Sequence, residues 1–496
     1  MVDLSEKTPS GAPPPPYNNT VLESSSDDNA DFGEGVNEKS LLRKLDYKLL
    51  PGLCLLYLLS FLDRSNVANA RIEGLATDLG ITGNQYLTGL TLYFIGYVIF
   101  EVPCNIILKR WTPNLWLPTL TLGWGIVSTL MGVTQNLSGF FAVRFFLGVA
   151  ESGLFPGVCY FLSMWYKRRE RQYRIALFFS AASLAGAFGG ILAFGIAKMK
   201  GVGGYNGWRW IFIIEGLLTI VIAIAGYWFI HNYPDTAKFL NPKERAFIQA
   251  RLASDSDATR NEAFTWANVS NALKDPKCWL YGLAFHTMSL PLYTLSLFLP
   301  SIIRSLGYTS ATAQLMTIPP YALATIFTVI WAHLSERFHR RAPFALGSTT
   351  IAIIGYIILI ANESPTKRPG VSYVGTFFAA CGIYPSTALS LSWPANNVSG
   401  QTKRAVATAM QISIGNLGAV LGTQLYRPNT APRYLLGHGF ALGYLFLNLV
   451  VNGTIWLVLS RENKRRDDLG ETARFEDVGA DEDWKGDDDV RWRFST

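Results

Sequence analysis

The chain has 496 residues, of which 49% are hydrophobic and only 16% charged. Soluble domains carry about a quarter charged residues, so the composition excludes an ordinary water-soluble class. The formal net charge of +7 needs no nucleic-acid partner, because the basic residues sit in short loops between apolar runs.

Residues 1–44 are rich in Pro, Ser and Asp and show no periodicity, which predicts a disordered cytoplasmic tail. Within it, Pro14–Tyr17 fits the polyproline turn ending in an aromatic that WW domains grip. A flexible proline-rich tail is the simpler reading; a WW-bearing ubiquitin ligase docking there is the sharper one. No cleavable signal is visible, since the first apolar run is too long for a signal core.

Twelve apolar runs follow, at roughly 46–67, 86–108, 114–134, 139–163, 173–197, 209–230, 278–300, 312–335, 342–361, 371–392, 404–425 and 437–459. Each is long enough to cross a bilayer as a helix. The expected fold is therefore an all-α membrane protein of twelve transmembrane helices. A central cytoplasmic loop, 231–277, divides it into two six-helix halves, 45–230 and 278–459. Phe155-Pro156, Trp165 and Arg174 in the fourth run echo Tyr384-Pro385, Trp393 and Arg404 in the tenth, at nearly equal spacing. That suggests an internal duplication with a cavity between the halves at mid-membrane. Residues 460–496 are charged and acidic toward their end, and read as a solvated cytoplasmic tail.

Lys109, Arg110, Lys167, Arg168, Arg169, Arg337, Arg340, Arg341 and Lys403 cluster in loops on one side, which puts both termini in the cytoplasm. Cys54, Cys104, Cys159, Cys278 and Cys381 are odd in number and lie in or beside apolar runs, as small buried side chains rather than a disulfide or metal set.

A charge at mid-membrane costs roughly 2.5–3.5 kcal/mol on insertion scales, so each one needs a reason. The first half holds Asp63 and Arg64 in run one, Glu101 in run two, Arg144 and Glu151 in run four and Glu215 in run six. Arg144 and Glu151 share a helical face about 10 Å apart, with Gly148 between them leaving open space. Asp63 and Arg64 point about 100° apart, so at least one must look to another helix. A carboxyl in a low-dielectric cavity holds its proton more tightly, and an adjacent guanidinium loosens it. An arginine fork grips a carboxylate with two hydrogen bonds. Together they suit moving an anion with a proton; gate ion pairs that only stabilise one conformation are the alternative. Glu101 and Glu215, nearer helix ends, read as structural.

Tyr93 and Tyr97 share a face with Glu101 and suit stacking on a flat substrate. In the second half the candidates are uncharged: Tyr293 and Ser296 near Pro291, Tyr384 before Pro385, and Gln411 and Asn416. Gly415 and Gly418 read as helix packing, and His286 as hydrogen-bonded structure.

Several strings resemble the major facilitator superfamily, and within it the anion:cation symporters of the fungal allantoate and nicotinate permease group. They are FLDRSNVANARIEGLATDLGITGNQY, RFFLGVAESGLFPGVCYFLSMWYKRRERQYRIALFFS, GWRWIFIIEG, LSWPANNVSGQTKRAVATAMQISIGNLGAVLG and PRYLLGHG. The resemblance implies proton coupling by Asp63 and Glu151, with anion binding by Arg64 and Arg144. Two departures stand out. NIILKRWTPNLW lacks the acidic residue usual between the second and third helices, and AGAFGG has Gly186 where proton-coupled exporters carry proline. The expected function is a proton-coupled symporter importing a small organic anion, such as a nicotinate-, allantoate- or pantothenate-like carboxylate, across the plasma membrane. An efflux carrier for a fungal metabolite and a non-transporting nutrient sensor are the rivals. No nucleophile, nucleotide or metal motif is present, so neither an enzyme nor a cofactor is expected.

Overall fold

The computed structural model describes residues 36–253, 266–338, 340–470, 486–490 and 492–496. The proline-rich stretch at Pro14–Tyr17 lies outside them. Among the described residues, twelve helices are long and apolar enough to cross a membrane: α1 (Glu38–Ile72), α2 (Gly83–Asn105), α3 (Pro113–Gly132), α4 (Leu137–Ser163), α5 (Tyr173–Ala197), α6 (Gly207–Phe229), α7 (Pro276–Ser305), α8 (Ser310–Arg337), α9 (Ala342–Ala361), α10 (Pro369–Asn397), α11 (Thr402–Gly422) and α12 (Leu435–Leu469). Helix is the solution because apolar surroundings cannot satisfy backbone groups that the segment does not pair itself. Several starts are capped locally. Asn37 accepts from the Ser40 amide, Thr82 and Gln85 form a reciprocal capping box, and Asp275 accepts from the Lys277 amide.

The packing repeats after six helices. In the first half α1 lies against α5 and α6, α2 against α4, and α3 against α6; in the second, α7 lies against α11 and α12, α8 against α10, and α9 against α12. The halves meet along α2/α11 and α5/α8, two seams related by the same six-helix shift, and where α1 meets α7. α4 breaks between Glu151 and Leu154, so its Phe155-Pro156 segment starts a fresh helical piece.

Both ends differ from the expected boundaries. α1 begins at Glu38, inside the stretch assigned to the tail, because its start is anchored. Lys44 Nζ bonds Glu244 at 2.8 Å, and Arg251 pairs with Glu38 and Glu170. Glu244 and Arg251 belong to a helix, Pro242–Ala253, so the central segment is partly folded onto the first half.

The solvated-tail reading of 460–496 fails for its last described residues. Trp492 and Phe494 are buried, and Asp487 bonds Lys403 Nζ at 2.7 Å. The Ser495 carbonyl accepts from Trp393 Nε1 and Asn397 Nδ2, each at 3.0 Å, and the Arg341 amide donates to the Thr496 carbonyl at 2.7 Å. The described C-terminal residues are held because the starts of α7 and α11 offer cations to Asp487, while α9 and α10 offer donors to the Ser495 and Thr496 carbonyls. These contacts, and those at the start of α1, place the N- and C-terminal ends on one face of the bundle, called here the terminal face.

Candidate functional site

The two adjacent charges of α1 separate. Asp63 turns to the wall of its own half, where Ser128 Oγ of α3 donates at 2.8 Å and Thr219 Oγ1 of α6 at 3.0 Å. Arg64 turns to the centre. Its Nη2 and Nε bond Glu151 Oε2 at 2.9 and 3.2 Å, and its Nη1 donates to Tyr293 Oη of α7 at 2.9 Å. The roughly 100° between neighbouring side chains on a helix is enough to send Asp63 and Arg64 to different partners, as their adjacency predicts.

Glu151 is the hub. Besides Arg64, Ser60 Oγ donates to its Oε2 at 3.0 Å and Tyr93 Oη at 2.7 Å, while Oε1 has no hydrogen-bond partner. The carboxylate, the guanidinium and both phenols are buried. Aromatic faces enclose the cation, with the Arg64 guanidinium carbon 5.3 Å from the Tyr93 ring centre, 5.5 Å from Tyr97, 5.6 Å from Tyr293 and 5.6 Å from Phe61.

Arg144 stands apart from this pairing. It is 1% exposed, none of its Nε, Nη1 and Nη2 atoms has a hydrogen-bond partner among the described residues, and its guanidinium lies 5.0 Å from the Tyr93 ring centre. Arg64 and Glu151 cancel, so the cluster retains one uncompensated positive charge. A buried unpaired cation is costly, and an anion supplied from outside would relieve it.

The gap expected at Gly148 is closed. A Cβ there would collide with the Tyr93 carbonyl and come within 3.0 Å of the Tyr97 nitrogen. The missing side chain admits the backbone of α2, which brings Tyr93 and Tyr97 to the charges.

The second half contributes less than expected. Among the described residues of that half, only Tyr293 bonds the charged cluster. Tyr384 packs edge-on to Tyr321, with centres 5.9 Å apart, and 6.4 Å from Phe179. Gln411 donates to the Ser390 carbonyl at 2.8 Å, an internal brace between α10 and α11. Asn416 is buried and makes no hydrogen bond to the cluster among the described residues. His286 Nδ1 lies 2.8 Å from the Ile414 carbonyl, as a structural histidine does. Gly415 and Gly418 press on Phe285 and the His286 carbonyl. Glu101 and Glu215 are not end residues in any exposed sense: both are at most 1% exposed, with Ser413 and Asn66 as their respective donors.

Ser60 escaped the sequence reading. It lies one turn before Arg64, so the spacing alone would have placed it on the same face.

On the face away from the termini, bonds cross between halves. Arg304 Nη1 and Ser310 Oγ donate to the Ile72 carbonyl at 2.9 and 2.8 Å, and Gln314 Nε2 to Glu73 at 3.0 Å. Toward the terminal face a cavity of about 70 Å³ separates Leu108, Pro156 and Tyr160 from Ala395, Arg404 and Thr408.

The comparisons agree with this architecture. Residues 53–423 match the family model described as the Major Facilitator Superfamily. The MFS-type transporter cnsO of Penicillium expansum is 37% identical over 445 residues, covering 88% of this chain and 86% of the relative. The major facilitator-type transporter hxnP of Emericella nidulans is 33% identical over 440 residues, covering 87% of each. Among solved structures, the proton:xylose symporter XylE bound to 6-bromo-6-deoxy-D-glucose superposes with a TM-score of 0.64 at 13% identity, covering 83% of this chain and 96% of that one. A bacterial Spinster homologue, inward-facing and unoccupied, gives 0.62 at 16% identity, with 86% and 98% covered. With twelve membrane helices, a six-helix repeat and a buried charged centre, the chain belongs to the major facilitator superfamily and is a membrane transporter, not an enzyme.

Proposed function

We propose that this transporter is a proton-coupled symporter that imports a small organic anion of the nicotinate, allantoate or pantothenate kind across the plasma membrane, with both termini cytoplasmic. The carrying observation is Arg144, a buried guanidinium with no partner beside a neutralised Arg64–Glu151 pair. An anionic carboxylate complements the Arg144 guanidinium in charge, and its two oxygens complement the fork in shape.

Glu151 is the proton carrier in this reading. Protonation removes the charge that holds Arg64, which frees a second guanidinium for the substrate. Proton and anion are then bound together, and the loaded centre is electrically close to the empty one. Tyr93, Tyr97 and Tyr293 supply flat faces for a planar carboxylate. Asp63 braces α1 against α3 and α6 through Ser128 and Thr219. The halves rock about the centre, opening one face as the other closes; the bonds around Ile72 and Glu73 belong to the arrangement closed on the far face.

The test is uptake of labelled nicotinate into proteoliposomes under an imposed pH gradient, with other small carboxylates as competitors. Glu151→Gln abolishes accumulation but keeps substrate exchange, whereas Asp63→Asn, if correctly inserted, accumulates. Wild-type accumulation by Glu151→Gln refutes the coupling assignment, and indifference to every carboxylate refutes the anion.

A further inference from the structure

The seam between α2 and α11 carries a group that the central cluster leaves idle. Glu101 is 0% exposed; its Oε2 accepts from Ser413 Oγ at 2.9 Å, and its Oε1 has no partner. No Lys, Arg or His pairs with it among the described residues. Ten residues earlier on α2, Thr91 Oγ1 lies 2.7 Å from Thr423 Oγ1, ten residues past Ser413 at the end of α11, and Gln424 Nε2 donates to Thr91 Oγ1 at 2.7 Å. The seam is therefore pinned at two points about 15 Å apart along antiparallel helices. The related seam, α5/α8, is pinned by neutral hydroxyls, Thr325 to Ser183 at 2.9 Å. The carboxyl at Glu101 sets this seam apart from its six-helix counterpart.

A buried carboxylate with one hydroxyl donor lacks the solvation it needs, whereas the neutral acid is accommodated. The Glu101–Ser413 bond joins opposite halves, so rocking that separates α2 from α11 must break it. We propose that Glu101 is a second proton-bearing group of this transporter, a latch that holds α2 to α11 when protonated and releases the seam when ionised. It rests on the proton-driven reading above and adds a site to it. The sign follows from burial. The closed seam binds the proton more tightly than the wetted, open one, so closure is favoured at low pH and lost as pH rises.

The surrounding groups leave Glu101 free to act. Tyr97, one turn before it, and Tyr293 of α7 lie within electrostatic reach. α4 brings Arg144 and Glu151, the latter already occupied by Arg64, Ser60 and Tyr93. α3 has no titratable side chain. On α11 the cations Lys403 and Arg404 sit in the first turn, Lys403 bonded to Asp487 and Arg404 Nε to the Val398 carbonyl.

The experiment needs no substrate. Trp111→Cys and Phe338→Cys, both exposed and in opposite halves near the terminal face, carry spin labels on the full chain in nanodiscs, and the inter-half distance distribution is followed from pH 5 to 9. A single linked proton changes the ratio of the two populations by up to about tenfold per pH unit. Glu101→Gln, which keeps an acceptor for Ser413 but cannot ionise, is expected to fix the closed-seam distance across the range. Ser413→Ala shifts the ratio toward the open seam while keeping a pH dependence, and Glu151→Gln keeps it too. A wild-type pH profile in Glu101→Gln overturns the latch, as does a flat profile in Glu151→Gln alone. Because distances are read without transport, failure of the latch is distinguishable from failure of the symport reading, which is tested by accumulation. Monodisperse elution of each variant establishes that it is folded.

Discussion

Arg144→Met tests the anion reading most directly. The substitution removes a guanidinium whose three nitrogens lack partners while leaving a flexible apolar chain of similar reach. In the empty protein it deletes no hydrogen bond and relieves an uncompensated buried charge, so melting is expected to stay level or rise. In the loaded protein it deletes a charge-assisted fork. At about 1.5–3 kcal/mol for each of two such bonds, the loss is about 3–6 kcal/mol, or about two to four decades in affinity. Arg144→Lys keeps the charge and loses the fork, and falls between. Binding of labelled nicotinate to purified protein, beside its thermal melting curve, reads both sides. Unchanged affinity in Arg144→Met would refute the reasoning. A large drop in melting temperature would also count against it, because it would reveal a partner for Arg144 within the protein.

Two further outcomes test the frame around the site. Gly148→Ala places a methyl against the Tyr93 carbonyl; overpacking of this kind costs about 1–3 kcal/mol, so the melting temperature should fall and uptake with it, whereas a wild-type melt would mean that α2 lies farther off. Asp487→Asn weakens the contact with Lys403, and hydrogen exchange in residues 486–496 and at the end of α10 should quicken. Unchanged exchange there would show that the C-terminal segment is held without the Asp487–Lys403 contact.

How much was legible beforehand varies with the range of the interaction. The twelve spans were readable because apolar length is local information, and even the repeat showed through Phe155-Pro156 and Tyr384-Pro385. Arg64, Arg144 and Glu151, charges that membrane burial must justify, gather in the structure with Tyr93, Tyr97 and Tyr293 around them. Their partnerships were not readable. The helix face shared by Arg144 and Glu151 says nothing of their partners: Glu151 bonds an arginine 87 residues away and that arginine bonds a tyrosine 229 residues away. Glu101 read as a structural end residue because hydropathy along α2 says nothing of α11.

The sequence by itself determined the helices, their number and the presence of charges that membrane burial must justify, since each follows from a segment's own composition and its need to pair its own backbone. Only the tertiary structure decided which charges cancel. A pairing between α1, α4 and α7 depends on helix rotation and close approach, and those are set by packing details such as the missing side chain at Gly148. The same packing turned Asp63 into the wall, left Arg144 alone in the centre and laid the acidic C-terminal residues against the cations of the second half.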